Sequence, residues 1–281
     1  MYNPPDLIAG ECLSTTNLPG RANLKINKLQ RQLFSVLLVA SIWFGVFPAT
    51  AHAWGAKGHQ IIAHIASSRL SSRARKGVSD LLAGQSLETA STWADLQKSA
   101  QTFHFVSIPY DSKGYDRDSQ CPQDNCVIEK IRSYRDIVKD PKETAARRAE
   151  ALKYILHLVG DLHQPFHCID RNGNNVRVTF DKRPTNLHKV WDMDIIEKAN
   201  LTAEDYARQI DDREGGPQKS YNIARGTLVD WALESHSIAR TAYVDSGDLG
   251  NKYYRDHKEV VERQLYQAGV RLANILNDIF R

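Results

Sequence analysis

The stretch Tyr154-Ile155-Leu156-His157-Leu158-Val159-Gly160-Asp161 reads as strongly helical. His157 and Asp161 stand four residues apart, so a helix puts both on one face. An imidazole and a carboxylate so placed can grip a single Zn2+. Working outward, the helical pattern runs over about 143–161, Pro165 ends it, and His167 sits just beyond. The same spacing recurs at His188 and Asp192, in Asn186-Leu187-His188-Lys189-Val190-Trp191-Asp192. Upstream lie Asp95, in Trp93-Ala94-Asp95, and His104, on the short stretch Phe103–Ile108. Any one of these residues could equally be a hydrogen-bonded core side chain. As a set they point to metal.

Helical periodicity dominates the rest of the chain. Ile61, Ile62, Ile65, Ala66 and Leu70 place an apolar face on a first helix. Val78, Leu81 and Leu82 mark a second, with Ser71-Ser72 as caps. Further patterns fall at about 126–139, 187–199, 202–212, 218–236 and 252–280. Only two stretches look extended: Phe103–Ile108, and Val176–Phe180 behind the turn-like Asn172-Gly173-Asn174-Asn175. The fold class is therefore mainly α, a single helical domain with a small β-ribbon.

The first 53 residues do not read as part of that domain. Lys25, Lys28 and Arg31 precede an apolar run from Leu33 to Phe47, and small residues follow to Ala51-His52-Ala53. This is the order of a signal peptide, and the apolar run is shorter than the roughly 20 residues of a spanning helix. The expectation is a leader over 1–53 cleaved after Ala53, and a catalytic domain over 54–281. The product would be periplasmic or secreted, a monomer without stable membrane association.

Four of the 37 Lys/Arg and two of the 33 Asp/Glu precede residue 54, so the remainder is close to neutral. No basic tail announces long-range nucleic-acid binding, and a polyanion would have to be held at a local site. In an exported protein Cys121 and Cys126, bracketing a short Pro-containing loop, read as a local disulfide. Cys168 is left as a buried thiol.

Cleavage after Ala53 would expose Trp54-Gly55-Ala56-Lys57-Gly58-His59. A free α-amine has a pKa near 8 and can ligate a cation near neutral pH. With its own carbonyl oxygen it would form a five-membered chelate, which His59 could complete.

These motifs together resemble the S1/P1 nuclease family, within the wider zinc-dependent phospholipase C/P1 nuclease superfamily. They are Trp54-Gly-x-x-Gly-His59, Trp93-Ala-Asp95, His104-Phe105, His157-x-x-Gly-Asp161-x-x-Gln164-Pro165-x-His167 and Asn186-Leu187-His188-x-x-Trp191-Asp192. They come in family order and span most of 54–281. The resemblance implies three Zn2+ per chain. Asp161 would bridge two of them, one also held by Asp95, His104 and His157, the other by Trp54 and His59. His167, His188 and Asp192 would hold the third. The implied reaction is hydrolysis of single-stranded DNA or RNA at the P–O3′ bond, leaving 5′-phosphates, with 3′-nucleotides as further substrates.

Other positions depart from the family pattern. Lys98 stands where fungal members carry Arg, and could meet transition-state charge as a point cation or be a solvated helix lysine. Phe105 matches an aromatic that stacks a nucleobase, or is a core ring beside a ligand. Ser107 replaces an Asp that would read base edges. Asn174 lies at a turn and is a candidate substrate contact. The alternative enzyme is a zinc-dependent phospholipase C, though the short Trp54-to-His59 spacing resembles the nucleases. A secreted helical protein with purely structural zinc is the non-enzymatic reading.

Overall fold

Helix α1 (Ala56–Ser67) buries Ile61, Ile62, Ile65 and Ala66, as the periodicity demands. The structure is a computed structural model that describes residues 54–97, 102–171, 176–215 and 222–281. The expected leader and its cleavage point lie outside the described residues, as do Lys98 and Asn174. Helix α2 (Ser72–Leu81) starts where Ser71 accepts a hydrogen bond from the Ala74 amide at 3.1 Å. A side-chain oxygen there satisfies one of the amides that the first helical turn leaves open. Ser86 does the same for the short α3 (Leu87–Ser91), which the periodicity did not reveal.

Helices α4 (Val127–Lys139) and α5 (Ala145–Leu162) form a packed hairpin, with Thr144 capping α5. Helix α6 (Ala203–Glu214) is capped by Thr202. Helix α7 (Leu228–Ala242) starts later and ends later than the expected 218–236. A reciprocal Thr227–Asp230 capping box sets its start; residues 216–221 lie outside the described residues. Helix α8 (Gly250–Ile279) packs along α1 and α6 through a face that includes Val261, Leu265, Ala268, Leu272 and Leu276.

Two expectations need correction. The helix expected over 187–199 comes in three consecutive pieces, Leu187–Lys189, the π-turn Val190–Asp194 and Ile195–Glu197. Asn186 caps it by accepting from the Lys189 amide at 2.8 Å. The segment 103–108 is not a strand. Val106 N bonds to His167 O and Asp170 N to Ile108 O, next to an isolated parallel bridge between Pro109 and Asp170, and Val127 N bonds to Phe105 O, but no continuous ladder forms. The expected small β-element is present as three strands, β1 (Arg177–Phe180), β2 (Arg183–Asn186) and β3 (Gly247–Asp248), in the order β2-β1-β3. β1 and β2 pair antiparallel, from Arg177 opposite Asn186 to Phe180 opposite Arg183. Their two-residue turn, Asp181-Lys182, has φ of 54° and 62°, the conformation a tight hairpin favours. Pro184 conceals β2 in the sequence, but an edge strand tolerates a missing N–H.

Cys121 and Cys126 are disulfide-bonded, and Cys168 is a buried free thiol. Among the described residues no helix is long and apolar enough to cross a membrane.

Candidate metal centre

The centre is assembled against α5. His157 and Asp161 project from it, and both are fully buried. His59, on α1, lies against the same face, with its ring stacked on that of His157 at 3.8 Å. This close approach explains two glycines. A Cβ on Gly160 would lie 2.8 Å from His59 Nδ1, and a Cβ on Gly58 would lie 2.7 Å from Trp54 Cβ. Trp54 is buried, and its indole Nε1 donates to the Gly160 carbonyl at 2.9 Å. The Gly55 amide donates to the Asp192 carbonyl at 2.8 Å. Residues 54 and 55 are thus stitched between α5 and the π-turn.

Gly160→Ala is therefore expected to push His59 out of place. We predict a loss of about 1–3 kcal/mol of stability from overpacking, together with reduced metal content in the purified protein. Unfolding and metal analysis check this. An unchanged melting point with unchanged metal would show that His59 can move aside freely.

Three groups of donors converge, and within each group the donor atoms lie within 4.8 Å of one another. They are His59, His157 and Asp161; Asp95, His104 and His157; and His167, His188 and Asp192. Asp161 turns its two oxygens to different neighbours. Oδ1 faces His59 Nε2 at 3.5 Å, while Oδ2 faces His104 Nδ1 at 2.8 Å and His157 Nε2 at 3.4 Å.

The hydrogen bonds decide what these groups want. His157 Nδ1 pairs with the Ser91 carbonyl at 2.7 Å, and His167 Nδ1 with the His104 carbonyl at 3.0 Å. A carbonyl can only accept, so both Nδ1 atoms carry the proton and each neutral ring presents a lone pair at Nε2. His157 Nε2 points at Asp95 Oδ1, 3.3 Å away, and at Asp161. With His157 neutral these are acceptors facing acceptors in the interior, a clash that either a second proton on His157 or a cation between them relieves. Burial alone would pull the His157 imidazole down, but Asp161 and Asp95 beside it hold it at about 9. Burial pushes the Asp161 carboxyl up.

In the third group a proton is the poorer answer. Burial, and then His188 nearby, keeps His167 well below the usual histidine range, and burial pushes His188 down to about 4. His188 Nε2 stands 3.4 Å from Asp192 Oδ2. Burial drives the Asp192 carboxyl well up. The buried Nε2 atoms of His167 and His188 have no hydrogen-bond partner. Leaving such an acceptor dry costs about 1–3 kcal/mol. A divalent cation would remove that cost and favour the ionised carboxylate. Imidazole nitrogen and carboxylate oxygen are also the donors Zn2+ takes from proteins.

Gln164 was quoted above only as part of a motif, yet it is fully buried and shapes this group. Its Nε2 donates to Asp192 Oδ1, and its Oε1 accepts from the Phe166 amide. That leaves Asp192 Oδ2 toward His188. Phe105 is half-buried, with its ring 4.2 Å from that of His167.

Other ionisable side chains lie outside the three donor groups. Asp170 is exposed, and backbone carbonyls are the partners of the His157 and His167 Nδ1 atoms. His163 is buried between Val159 O and Arg271, and burial, with Arg271 beside it, drives it to about 3. His236 is buried against Pro109 O. His64 is half-buried and pairs with Glu88 at 3.2 Å. His257 packs on the rings of Trp191 and Tyr253. Glu234 is exposed and pairs with the buried Arg271 at 2.7 Å.

A family profile described as S1/P1 Nuclease matches residues 54–281, beginning at Trp54. The chain is 29% identical to Nuclease S1 of Aspergillus oryzae, covering 79% of this chain and 90% of that protein. It is 30% identical to Endonuclease 2 of Arabidopsis thaliana, over 89% of this chain and 99% of the relative. To Nuclease P1 of Penicillium citrinum it is 29% identical, over 80% and 97% respectively.

Proposed function

From the premise that this chain belongs to the S1/P1 nuclease family and is a phosphodiester hydrolase, we propose that it is a zinc-dependent endonuclease. Its substrates are single-stranded DNA and RNA, cleaved at the P–O3′ bond to leave 5′-phosphates, and 3′-nucleotides besides. The observation that carries this reading is the convergence of three His/Asp donor groups in one buried centre, with Asp161 facing His59, His104 and His157. We assign three Zn2+ to them: one to Asp95, His104, His157 and Asp161, one to Trp54, His59 and Asp161, and one to His167, His188 and Asp192.

Zinc so held supplies a water acidic enough to attack near pH 7 and positive charge for the phosphate oxygens. The protein's own groups do the rest. Ser91 O and His104 O fix the His157 and His167 tautomers, so Nε2 is the donor atom in each. Gln164 fixes the Asp192 carboxylate. Phe105, half-buried beside His167, offers a ring face on which a base can stack, which orients the strand across the centre. Stacking accepts every base, since each has a π-face.

The domain is proposed to act after export, as a periplasmic or secreted monomer freed of residues 1–53; the family match that begins at Trp54 supports that boundary. Exhaustive chelation is expected to cut single-stranded DNA cleavage by at least about 100-fold, with recovery on adding Zn2+. Metal analysis should find three zincs, and products should carry 5′-phosphates. Full activity after metal removal would sink the metal mechanism. A strong preference for phosphatidylcholine over single-stranded DNA would overturn the choice of substrate.

A further inference from the structure

A line of rings leads away from the metal centre. Phe103 stacks beside His104, with centroids 5.8 Å apart, and meets Tyr154 edge-on at 5.6 Å. Tyr154 in turn stacks on Tyr134 at 4.6 Å, with planes 8° apart. Phe103 and Tyr154 are nearly buried, but Tyr134 is only half-buried. It opens onto a groove of about 430 Å3 between α4 and α5, lined by Phe103, Lys130, Tyr134, Arg147, Glu150 and Tyr154 among others. That volume falls in the range of sites that hold small ligands, about 300–1,000 Å3.

The groove's chemistry is particular. Lys130 Nζ lies over the Phe103 ring, 5.4 Å from its centroid. Arg147 is exposed, and its ion pair with Glu143, at 3.0 Å, is a solvent-screened one that a phosphate can displace at little cost. Of the six named residues only Glu150 is acidic. Rings interleaved with cations bind single-stranded nucleic acid: the bases stack without regard to sequence, and the phosphates meet the cations. Phe103, which lines the groove, is the chain neighbour of His104, one of the donor residues of the centre.

We propose that this groove is an extended subsite for single-stranded nucleic acid, holding nucleotides beyond the one cleaved. Tyr134 provides the stacking platform, and Lys130 and Arg147 the phosphate contacts. The inference rests on the nuclease reading above. It implies that longer strands bind better than short ones, although the chemistry at the metal centre is the same for both.

The test compares a dodecanucleotide with a dinucleotide as substrates for the zinc-loaded enzyme. Tyr134→Leu is expected to raise KM for the dodecanucleotide about 5- to 150-fold, the equivalent of one lost stacking contact. The dinucleotide kcat/KM should stay within about twofold. Replacing both Lys130 and Arg147 by Ala should flatten the dependence of log KM on log salt by about 1.4 for the long substrate. Should Tyr134→Leu fail to fold, this surface double variant decides the matter. Equal changes for both substrates, or none for either, would overturn the groove. Wild-type protein that cleaves neither substrate overturns the nuclease reading itself, a result distinct from normal cleavage with variants that change nothing.

Discussion

Asp161→Asn is expected to remove nearly all nuclease activity and to leave the purified protein short of at least two of the three zincs proposed for it. The substitution keeps the shape of the side chain and removes one negative charge from a fully buried position. Its oxygens face three imidazoles from three different segments, His59 on α1, His104 on the irregular stretch and His157 on α5. An amide can offer only one oxygen, and its NH2 would turn donors toward whatever cation the other side bound. Removing one partner of a buried charge pair costs about 3–5 kcal/mol. Spent on metal affinity, that is a loss of roughly 150- to 4,000-fold. Metal content after dialysis and turnover on single-stranded DNA are the two readouts. Near-normal turnover with three zincs retained would show that the bridging role is misassigned. Asp95→Asn is the useful comparison. Asp95 belongs to one donor group only, so one zinc should loosen and the others stay.

Much of this centre was legible in the sequence because helices have a period. His157 with Asp161, and His188 with Asp192, are neighbours on one face in any helix, whatever packs around them. Ser71 and the Ile61–Ile65 face were readable for the same local reason. What escaped was tertiary. Nothing in the order of residues says that Gly160 must be bare because a ring from α1 lies 2.8 Å from where its Cβ would be. Gln164 stood in a motif without a task until Asp192 was found beside it. The carbonyls of Ser91 and His104 that set the imidazole tautomers have no side-chain signature at all. The strand Arg183–Asn186 was hidden by Pro184, and Phe103–Ile108 looked like a strand because its residues favour extended backbone, while its few bonds to 167–170 and Val127 form no continuous ladder. The late start of α7 was a local signal passed over, since Thr227 and Asp230 form a recognisable cap.

The last prediction concerns Trp54. A chain that keeps even a few residues ahead of Trp54 is expected to lose one zinc and at least about 100-fold in turnover, while a chain beginning at Trp54 keeps both. A free α-amine has a lone pair to give once its proton leaves near pH 8. An amide nitrogen has none, because resonance with the carbonyl holds it. The residues around Trp54 are arranged to hold its backbone in place. The indole is buried and bonded to the carbonyl of Gly160, next to Asp161. The Gly55 amide is bonded to the carbonyl of Asp192. His59 follows on the first turns of α1, facing Asp161. The backbone of residue 54 is thus fixed beside two of the three donor groups, whereas its side chain is occupied with packing. Trp54→Phe separates the two roles. It keeps the amine but loses the indole hydrogen bond and leaves a cavity at a fully buried position, together costing a few kcal/mol, so it should retain three zincs with lower stability. Full activity and full metal in the extended chain would refute the role of the amine. Loss of metal in Trp54→Phe equal to that in the extended chain would assign the effect to packing. If the amine is the ligand and the proposed leader is cleaved ahead of Trp54, that cleavage and completion of the centre are a single event, and the uncleaved chain is at least about 100-fold less active.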